Sequence, residues 1–167
     1  MATREHVIDA YVKIDTIPGE ATSKGFENQI EIHDFSHSIS QEPSSSKSST
    51  GAQASGRVET GRITFRKDVD FATPQLMQAC AEGRHIANIK FSFTRAGTKQ
   101  NTYYTVALTD CLITRVSQHA SSQDIVNEEV ELYFKKIQWE QFKTSQTGGG
   151  IQGSQLTGWD SSLNTIA

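Results

Sequence analysis

Alternation of apolar and polar residues is the feature that most restricts the fold of this chain. In the segment VIDAYVKI, Ile8, Val12 and Ile14 point to one side, whereas Asp9 and Lys13 point to the other. Successive side chains of a strand lie on opposite faces of a sheet, so this pattern predicts a strand that is buried on one face. The same alternation recurs in four later segments, at 26–40, 62–70, 86–117 and 125–142.

Two changes of phase interrupt the alternation. The apolar positions are even up to Ile32 and odd from Phe35, which predicts a β-bulge near His33 or Asp34. The apolar positions change parity again after Leu108, which predicts a second bulge. A bulge inserts one residue into a strand and thereby returns the later apolar side chains to the core.

One helix is predicted, in the segment TPQLMQACAEG. Thr73 suits the N-cap, Pro74 suits the first helical position because its missing N–H has no partner there, and Gly83 suits the left-handed stop. One apolar stripe is expected to face the sheet, and its members are Leu76, Met77, Ala79 and Cys80.

About seven or eight strands and one short helix favour an antiparallel β-barrel or sandwich with the helix plugging or flanking it. The length of 167 residues fits a single domain covering 1–167. Two segments stand apart from the alternating strands: a loop of sixteen polar or small residues at 41–56, and a Gly-rich C-terminal extension at 144–167. A long connection without apolar anchors is typically functional or disordered.

Charge and composition argue against several classes of partner. The net charge is -3 with both signs interspersed, which gives no reason to expect binding to nucleic acid or to an anionic membrane. The apolar runs are too short for a transmembrane helix. The N-terminal segment MATREHVIDA carries acidic residues where a secretory signal would be basic and then apolar, so we expect folding in the cytoplasm.

The polar residues form no recognisable catalytic or metal-binding motif. Cys80 and Cys111 are expected to be two buried thiols rather than a disulfide or a zinc site. His33 and His37 are four residues apart on a strand, roughly 13 Å, which is too far to share an ion. Neither a nucleophile turn nor a phosphate-binding loop is present. We therefore expect no enzymatic activity, no metal and no cofactor.

Four segments, in order along nearly the whole chain, carry a family resemblance: YVKIDTIPGEAT at 11–22, IEIHDFSHSIS at 30–40, KDVDFATPQLMQACAEGRHI at 67–86 and GWD at 158–160. They resemble the haemolysin-coregulated proteins (Hcp), which form the inner tube of bacterial type VI secretion systems. The entry to the predicted helix is the most specific part of this resemblance. The chain departs from the family pattern at three turn positions, Ala21, Phe26 and Ala72.

The resemblance implies a two-sheet antiparallel β-barrel flanked by one helix, and a homohexameric ring that stacks on other rings as a hollow tube. The implied partners are other copies of the chain, the secretion spike protein, the sheath and the effectors expelled with the tube. The resemblance implies no cofactor, no enzymatic activity, no nucleic acid and no membrane insertion. The protein would assemble in the bacterial cytoplasm and then be secreted without a cleaved signal peptide.

The resemblance also gives the long loop a role at the contact between stacked rings. Each arm of about eight residues could extend roughly 26 Å at 3.3 Å per residue, far enough to reach the next ring. The residues expected at this contact are Gln41, Glu42, Pro43, Ser44, Lys47, Thr50, Gly51, Gln53 and Gly56.

Two further surfaces are predicted. Ser36 and Ser38 lie on the small, hydroxyl-bearing face of their strand, which suits the lumen of a water-filled channel. Tyr133, Ile137 and Trp139 make the outer face of the last long strand apolar, and we expect them at the contact between subunits. The alternative that the C-terminal segment folds over these three residues is equally favoured.

The main alternative function is a monomeric jelly-roll or lipocalin-like barrel that binds a sugar or another small ligand, and a hydrolytic enzyme is a more distant one. A molecular mass in solution near six times 18.4 kDa would favour the ring. A persistent monomer that binds glycans would favour the binding module.

Overall fold

Antiparallel strands make up most of the fold. The computed structural model describes residues 8–43, 57–95, 101–145 and 150–167. In chain order the elements are β1 (Asp9–Ile14), β2 (Ile30–Ile32), β3 (Asp34–Ser36), β4 (Ile39–Gln41), β5 (Val58–Thr60), β6 (Ile63–Asp68), α1 (Thr73–Glu82), β7 (Ile86–Arg95), β8 (Asn101–His119), β9 (Asn127–Thr144), β10 (Ile151–Asp160) and β11 (Thr165–Ile166).

The main sheet has the strand order β11-β10-β9-β8-β7-β1-β2, and β6 joins it by pairing with both β9 and β3. The ladder is not continuous between β2 and β6, where the His33 N–H donates to the Arg66 carbonyl at 2.8 Å, so the barrel is not closed. β4 and β5 form a separate two-stranded sheet. The predicted class, mainly β with antiparallel sheets and one helix, is confirmed.

The first predicted phase change lies at His33 but has a different cause. β2 pairs with β1, whereas β3 pairs with β6, so the chain changes its partner strand at this residue. Ile30 and Ile32, in the β1–β2 pair, are buried in the core. Phe35, in the β3–β6 pair, also packs into the core, with its ring centroid 4.9 Å from that of Phe91. A bend between two ladders replaces the predicted extra residue within one ladder.

The second phase change affects two neighbouring strands at the same level. Leu108 in β8 and Ile137 in β9 face each other and are buried. Three residues further along β8, Cys111 faces Phe134, and both are buried as well. The register of the β8–β9 ladder does not shift between these pairs, and Asp110 has a φ of 56°. The change of parity is observed, and it occurs in β9 as well as in β8. The predicted bulge is not its cause, because the register of this ladder shifts only further on, between Ile113 and Arg115.

The helix α1 begins and ends close to the predicted residues. Gly83 has φ 61° and ψ 38°, the left-handed conformation that glycine adopts without steric cost. The N-cap is Ala72 rather than Thr73, because the Thr73 hydroxyl donates to a Glu128 carboxylate oxygen at 2.6 Å instead of capping the helix. The apolar stripe also differs from the prediction: Leu76 and Ala79 are buried, Cys80 is half-buried and Met77 is 40% exposed.

A buried lysine occupies a position that alternation would assign to an apolar residue. Lys67 follows Ile63 and Phe65 on the core side of β6 and has no exposed surface. Its Nζ lies 2.5 Å from Glu128 Oε1 and 2.7 Å from Asp70 Oδ1. Burial of a charge is tolerated where opposite charges and hydrogen bonds surround it, and here they join β6 and β9 to the start of α1.

The C-terminal extension is more regular than predicted. β10 spans ten residues and pairs with β9 from Lys136 to Thr144. Gly158 packs against β9 so closely that an added Cβ would lie 2.7 Å from the Ile137 carbonyl oxygen. No helix in the described residues is long and apolar enough to span a bilayer.

Candidate functional site

The predicted subunit-contact residues do not share one face. Tyr133 is 42% exposed, Trp139 is half-buried against the core, and Ile137 has no exposed surface. The prediction is wrong for Ile137, because the phase change in β9 after Phe134 turns odd-numbered side chains into the core. β10 lies beside this part of β9, with Trp159 opposite Ile137, so the C-terminal segment pairs along the edge of the strand.

The predicted lumen residues lie on a solvent-exposed face. Ser36 and Ser38 are exposed, whereas the His37 ring between them turns inward, 5.6 Å from the Phe134 ring and 6.3 Å from the Trp139 ring. Burial lowers the pKa of His37, and a hydrogen bond with the Gly61 backbone opposes this effect. The segment from Ser36 to Ser38 therefore presents two small hydroxyl side chains to solvent.

The predicted ring-stacking loop is described only at its base. Gln41, Glu42 and Pro43 are exposed at the end of β4. At the other arm of the stem, Arg57 Nη2 donates to the Ser161 carbonyl at 3.0 Å and the Thr60 and Ser161 hydroxyls lie 3.0 Å apart. The remaining predicted residues, Ser44, Lys47, Thr50, Gly51, Gln53 and Gly56, lie outside the described residues.

A trough runs beside β10, on the side of the sheet that carries Trp139. Its volume is about 620 Å³ and every residue lining it is uncharged. We call it the β10 trough, and its lining residues are Tyr104, Trp139, Gln141, Ser154, Gln155, Leu156 and Thr157. The Gly-, Ser- and Gln-rich sequence of β10 gives only a weak strand pattern, so alternation does not predict this surface.

Ion pairs distinguish the opposite end of β9 from the trough. Arg62 Nη1 lies 2.7 Å from Glu131 Oε1, and Arg66 Nε lies 2.9 Å from Glu129 Oε2, across the β6–β9 ladder. The hydrogen bond from Thr114, followed by that from Arg62, lowers the pKa of Glu131. These exposed pairs are compatible with the β6–β9 register and add little to its stability.

Two histidines each lie beside one aspartate. His33 Nε2 is 3.1 Å from Asp68 Oδ1, and His85 Nε2 is 2.9 Å from Asp110 Oδ1. Burial raises the pKa of the Cys111 thiol to about 12, so this cysteine is a poor nucleophile. In the part of the chain that the structure describes, no group of three or more His, Cys, Asp or Glu is arranged to hold a metal.

Comparison with known proteins identifies the family. A family model described as "Type VI secretion system effector, Hcp" matches residues 11–141. The chain belongs to the Hcp family. Protein hcp1 of Pseudomonas aeruginosa is 30% identical over 162 residues, which cover 96% of this chain and 99% of that protein.

Solved structures of Hcp proteins have the same fold. Hcp1 from Salmonella typhimurium has a TM-score of 0.78 at 26% identity, covering 96% of this chain and 99% of that one. A type six secretion system protein has a TM-score of 0.88 at 20% identity with the same coverage, and this likeness supports the fold alone. The family predicted from the four sequence segments is thus confirmed, and the chain is a type VI secretion system protein of the Hcp class.

Proposed function

We propose that this Hcp chain is the structural subunit of a type VI secretion tube, a homohexameric ring that stacks into a hollow conduit. The match over 99% of the length of both Pseudomonas aeruginosa hcp1 and Salmonella typhimurium Hcp1 carries this proposal. The uncharged trough and the separate β4–β5 stem suit protein contacts better than catalysis. The subunit acts without a cofactor and without enzymatic activity of its own.

The long loop makes the contact between rings in this proposal. Its stem is a short antiparallel ladder in which Ile39 faces Thr60 and Gln41 faces Val58. The stem is attached to the C-terminal turn through Ser161, which gives the loop a fixed origin. A polar loop without apolar anchors gains order when it binds a partner.

Ser36 and Ser38 line the lumen in this proposal. Small hydroxyl side chains leave a channel wide and bind passing effectors only weakly. Ser38→Arg and Ser36→Arg, with Ser38→Ala and Ser36→Ala as matched controls, test the placement by effector export from the producing bacterium. We expect the arginine variants to reduce export while the alanine variants keep it. Unchanged assembly and export in both arginine variants would contradict the placement.

The tube subunit has other copies, the spike protein, the sheath and effector proteins as its partners. It assembles in the bacterial cytoplasm and leaves the cell with the expelled tube. Tyr133 remains a candidate for a subunit contact because its ring is 42% exposed. Trp139 takes part in contacts with other copies through the β10 trough, which it lines, rather than through the outer face of β9.

Light scattering coupled to size-exclusion chromatography, with negative-stain electron microscopy, tests the proposal. We expect a mass of six times 18.4 kDa and six-lobed annular particles. A monomer at all concentrations would contradict the proposal. Because Trp139 and Tyr104 flank amides and hydroxyls in the trough, a monomer that binds glycans would instead support a sugar-binding module.

A further inference from the structure

A second pocket lies on the opposite face of the sheet from the β10 trough. Successive side chains of a strand point to opposite faces, and Tyr104 lines the trough whereas its neighbour Thr105 lines this pocket. Its volume is about 590 Å³. We call it the lysine pocket, and its lining includes Lys13, Phe26, Lys90, Ser92, Thr105 and Phe142.

Two lysines of this pocket stand directly opposite each other on neighbouring strands. Lys13 of β1 is the register partner of Lys90 of β7, and both side chains are exposed. Like charges at such positions repel each other and destabilise a sheet. Neither lysine forms an ion pair with any residue that the structure describes. A bound anion would remove this repulsion.

The buried part of the polar lining also consists of hydrogen-bond donors. Ser92 and Thr105 face each other across the β7–β8 ladder and are 7% and 5% exposed. No hydrogen bond joins either hydroxyl to another side chain in the described part of the chain. Glu31 and Glu140 lie in the same cross-strand row, but neither lines the pocket. The polar lining is therefore suited to a ligand that accepts hydrogen bonds and carries negative charge.

An ordered loop supplies an aromatic wall. The Phe26 ring stacks on the Tyr11 ring, with centroids 4.4 Å apart and an interplanar angle of 10°. The Tyr11 and Ser23 hydroxyls lie 2.8 Å apart, and the Phe26 N–H donates to the Ser23 carbonyl at 2.9 Å. These contacts hold the loop against β1. Phe142 of β9, which is half-buried, is the second aromatic residue of the lining.

We propose that the lysine pocket binds a small phosphate monoester with an aromatic body. Such a phosphate carries a charge of about −2 at pH 7 and three acceptor oxygens, which match two ammonium groups and two hydroxyl donors. A carboxylate carries one charge and matches the lysine pair less well. The pocket has the volume of a small-molecule site, so the space beside Phe26 and Phe142 is left for a ring. This inference does not depend on ring assembly.

Isothermal titration calorimetry of the full chain with phenyl phosphate tests the site. We expect saturable binding, and affinity weakened by about tenfold or more in each of Lys13→Gln, Lys90→Gln and Thr105→Val, because each loses a donor to a charged group. Lys135→Gln is the matched control, since Lys135 is exposed on β9 and lies outside the pocket, and its affinity should equal that of wild type.

Thermal melts without ligand show whether the lysine variants fold and why their affinity changes. Each lysine variant removes the repulsion across β1 and β7, so it should melt at or above the temperature of wild type. Phenyl phosphate should raise the melting temperature of wild type and leave that of the double variant unchanged. Lysine variants that melt below wild type would indicate a structural role and overturn the assignment.

Two simpler probes separate the parts of the ligand. Inorganic phosphate lacks the ring and benzoate lacks the phosphate, so each should bind about tenfold more weakly than phenyl phosphate. Equal affinity for inorganic phosphate would overturn the aromatic body, and equal affinity for benzoate would overturn the phosphate. Tighter binding of a glutamate-rich peptide would assign the pocket to an acidic protein segment and overturn the small ligand. Absence of saturable binding to wild type, or unchanged affinity in both lysine variants, would overturn the site itself.

Discussion

The two halves of β9 have different neighbours on the same edge. The first half, from Asn127 to Leu132, pairs with β6, and the second half, from Lys136 to Thr144, pairs with β10. The first half is held by ion pairs that include the buried Lys67 with Glu128. The second half pairs with β10, whose residues 151–157 carry no charge and pair with no further described strand. The two halves therefore differ in charge and in the number of described strands beside them.

The largest expected effect is on the charged half. Lys67→Ala leaves the Glu128 and Asp70 carboxylates together without their buried cation, which should cost about 3–5 kcal/mol of unfolding free energy. Arg66→Ala removes the exposed pair with Glu129 from the same ladder and should cost about 0–1 kcal/mol. Urea unfolding of both variants at one protein concentration measures the difference. Equal costs would contradict the larger contribution assigned to the buried pair.

Proline substitutions in β10 sharpen the contrast between its two edges. Gln155→Pro removes an N–H that faces β9 and adds a steric conflict within the ladder, so it should detach β10. Ser154→Pro removes an N–H that faces outward, so it should keep the β9–β10 ladder. Hydrogen exchange in β9 measures whether each variant keeps or loses the ladder. The reverse pattern would show that the assigned backbone directions are wrong.

The turn that ends β10 has a pH-dependent contribution. A hydrogen bond from the Ser162 hydroxyl, at 2.5 Å, is the main cause that lowers the pKa of Asp160 from 3.8 to about 2. Because the folded pKa is the lower one, the stabilisation is fully present above about pH 4 and is lost as the pH falls towards 2. Wild type should therefore melt above Asp160→Asn at pH 6, with the difference in melting temperature closing towards pH 2. A difference independent of pH would contradict this role.

The smallest effect concerns the thiols near the boundary between the two halves. Cys111 is buried opposite Phe134, and burial raises its pKa to about 12, whereas Cys80 is half-buried on α1. A disulfide reagent at pH 8 should react with Cys80 first and with Cys111 only after unfolding. The variant Cys80→Ser should then show no rapid reaction. Rapid labelling of Cys111 in that variant would contradict the prediction, because it would show that the β8–β9 ladder near Phe134 opens without global unfolding.

Alternation predicted the strands and the two phase changes, because burial of one sheet face leaves a regular pattern. It could not show that β9 changes phase together with β8, so Ile137 was placed outside although it is buried. It also could not show that Lys67 is buried, because a lone sequence does not reveal that Glu128 and Asp70 converge on it. β10 was predicted too short because pairing with β9, rather than its own composition, makes it a strand.

The prediction of surfaces had a similar limit. Parity alone predicts that Ser36 and Ser38 share an exposed face, and both are exposed, with Ser36 at the end of β3 and Ser38 in the link to β4. The sequence does not show which backbone groups of β10 face β9, whereas hydrogen bonds such as that from the Ala167 N–H to the Gly158 carbonyl do. Local sequence patterns therefore predict which residues share a face of a sheet, whereas knowing which backbone groups lie at its edges requires the strand order.

Residue-resolved amide hydrogen exchange at Ser154 and Leu156 in the assembled protein tests the account most directly. These two N–H groups point away from β9, so contact with a neighbouring copy would protect them in the proposed ring. The account predicts protection close to that of Gln155 in the assembled protein, and rapid exchange in the dissociated monomer. Rapid exchange of both amides in an intact six-copy ring would contradict it.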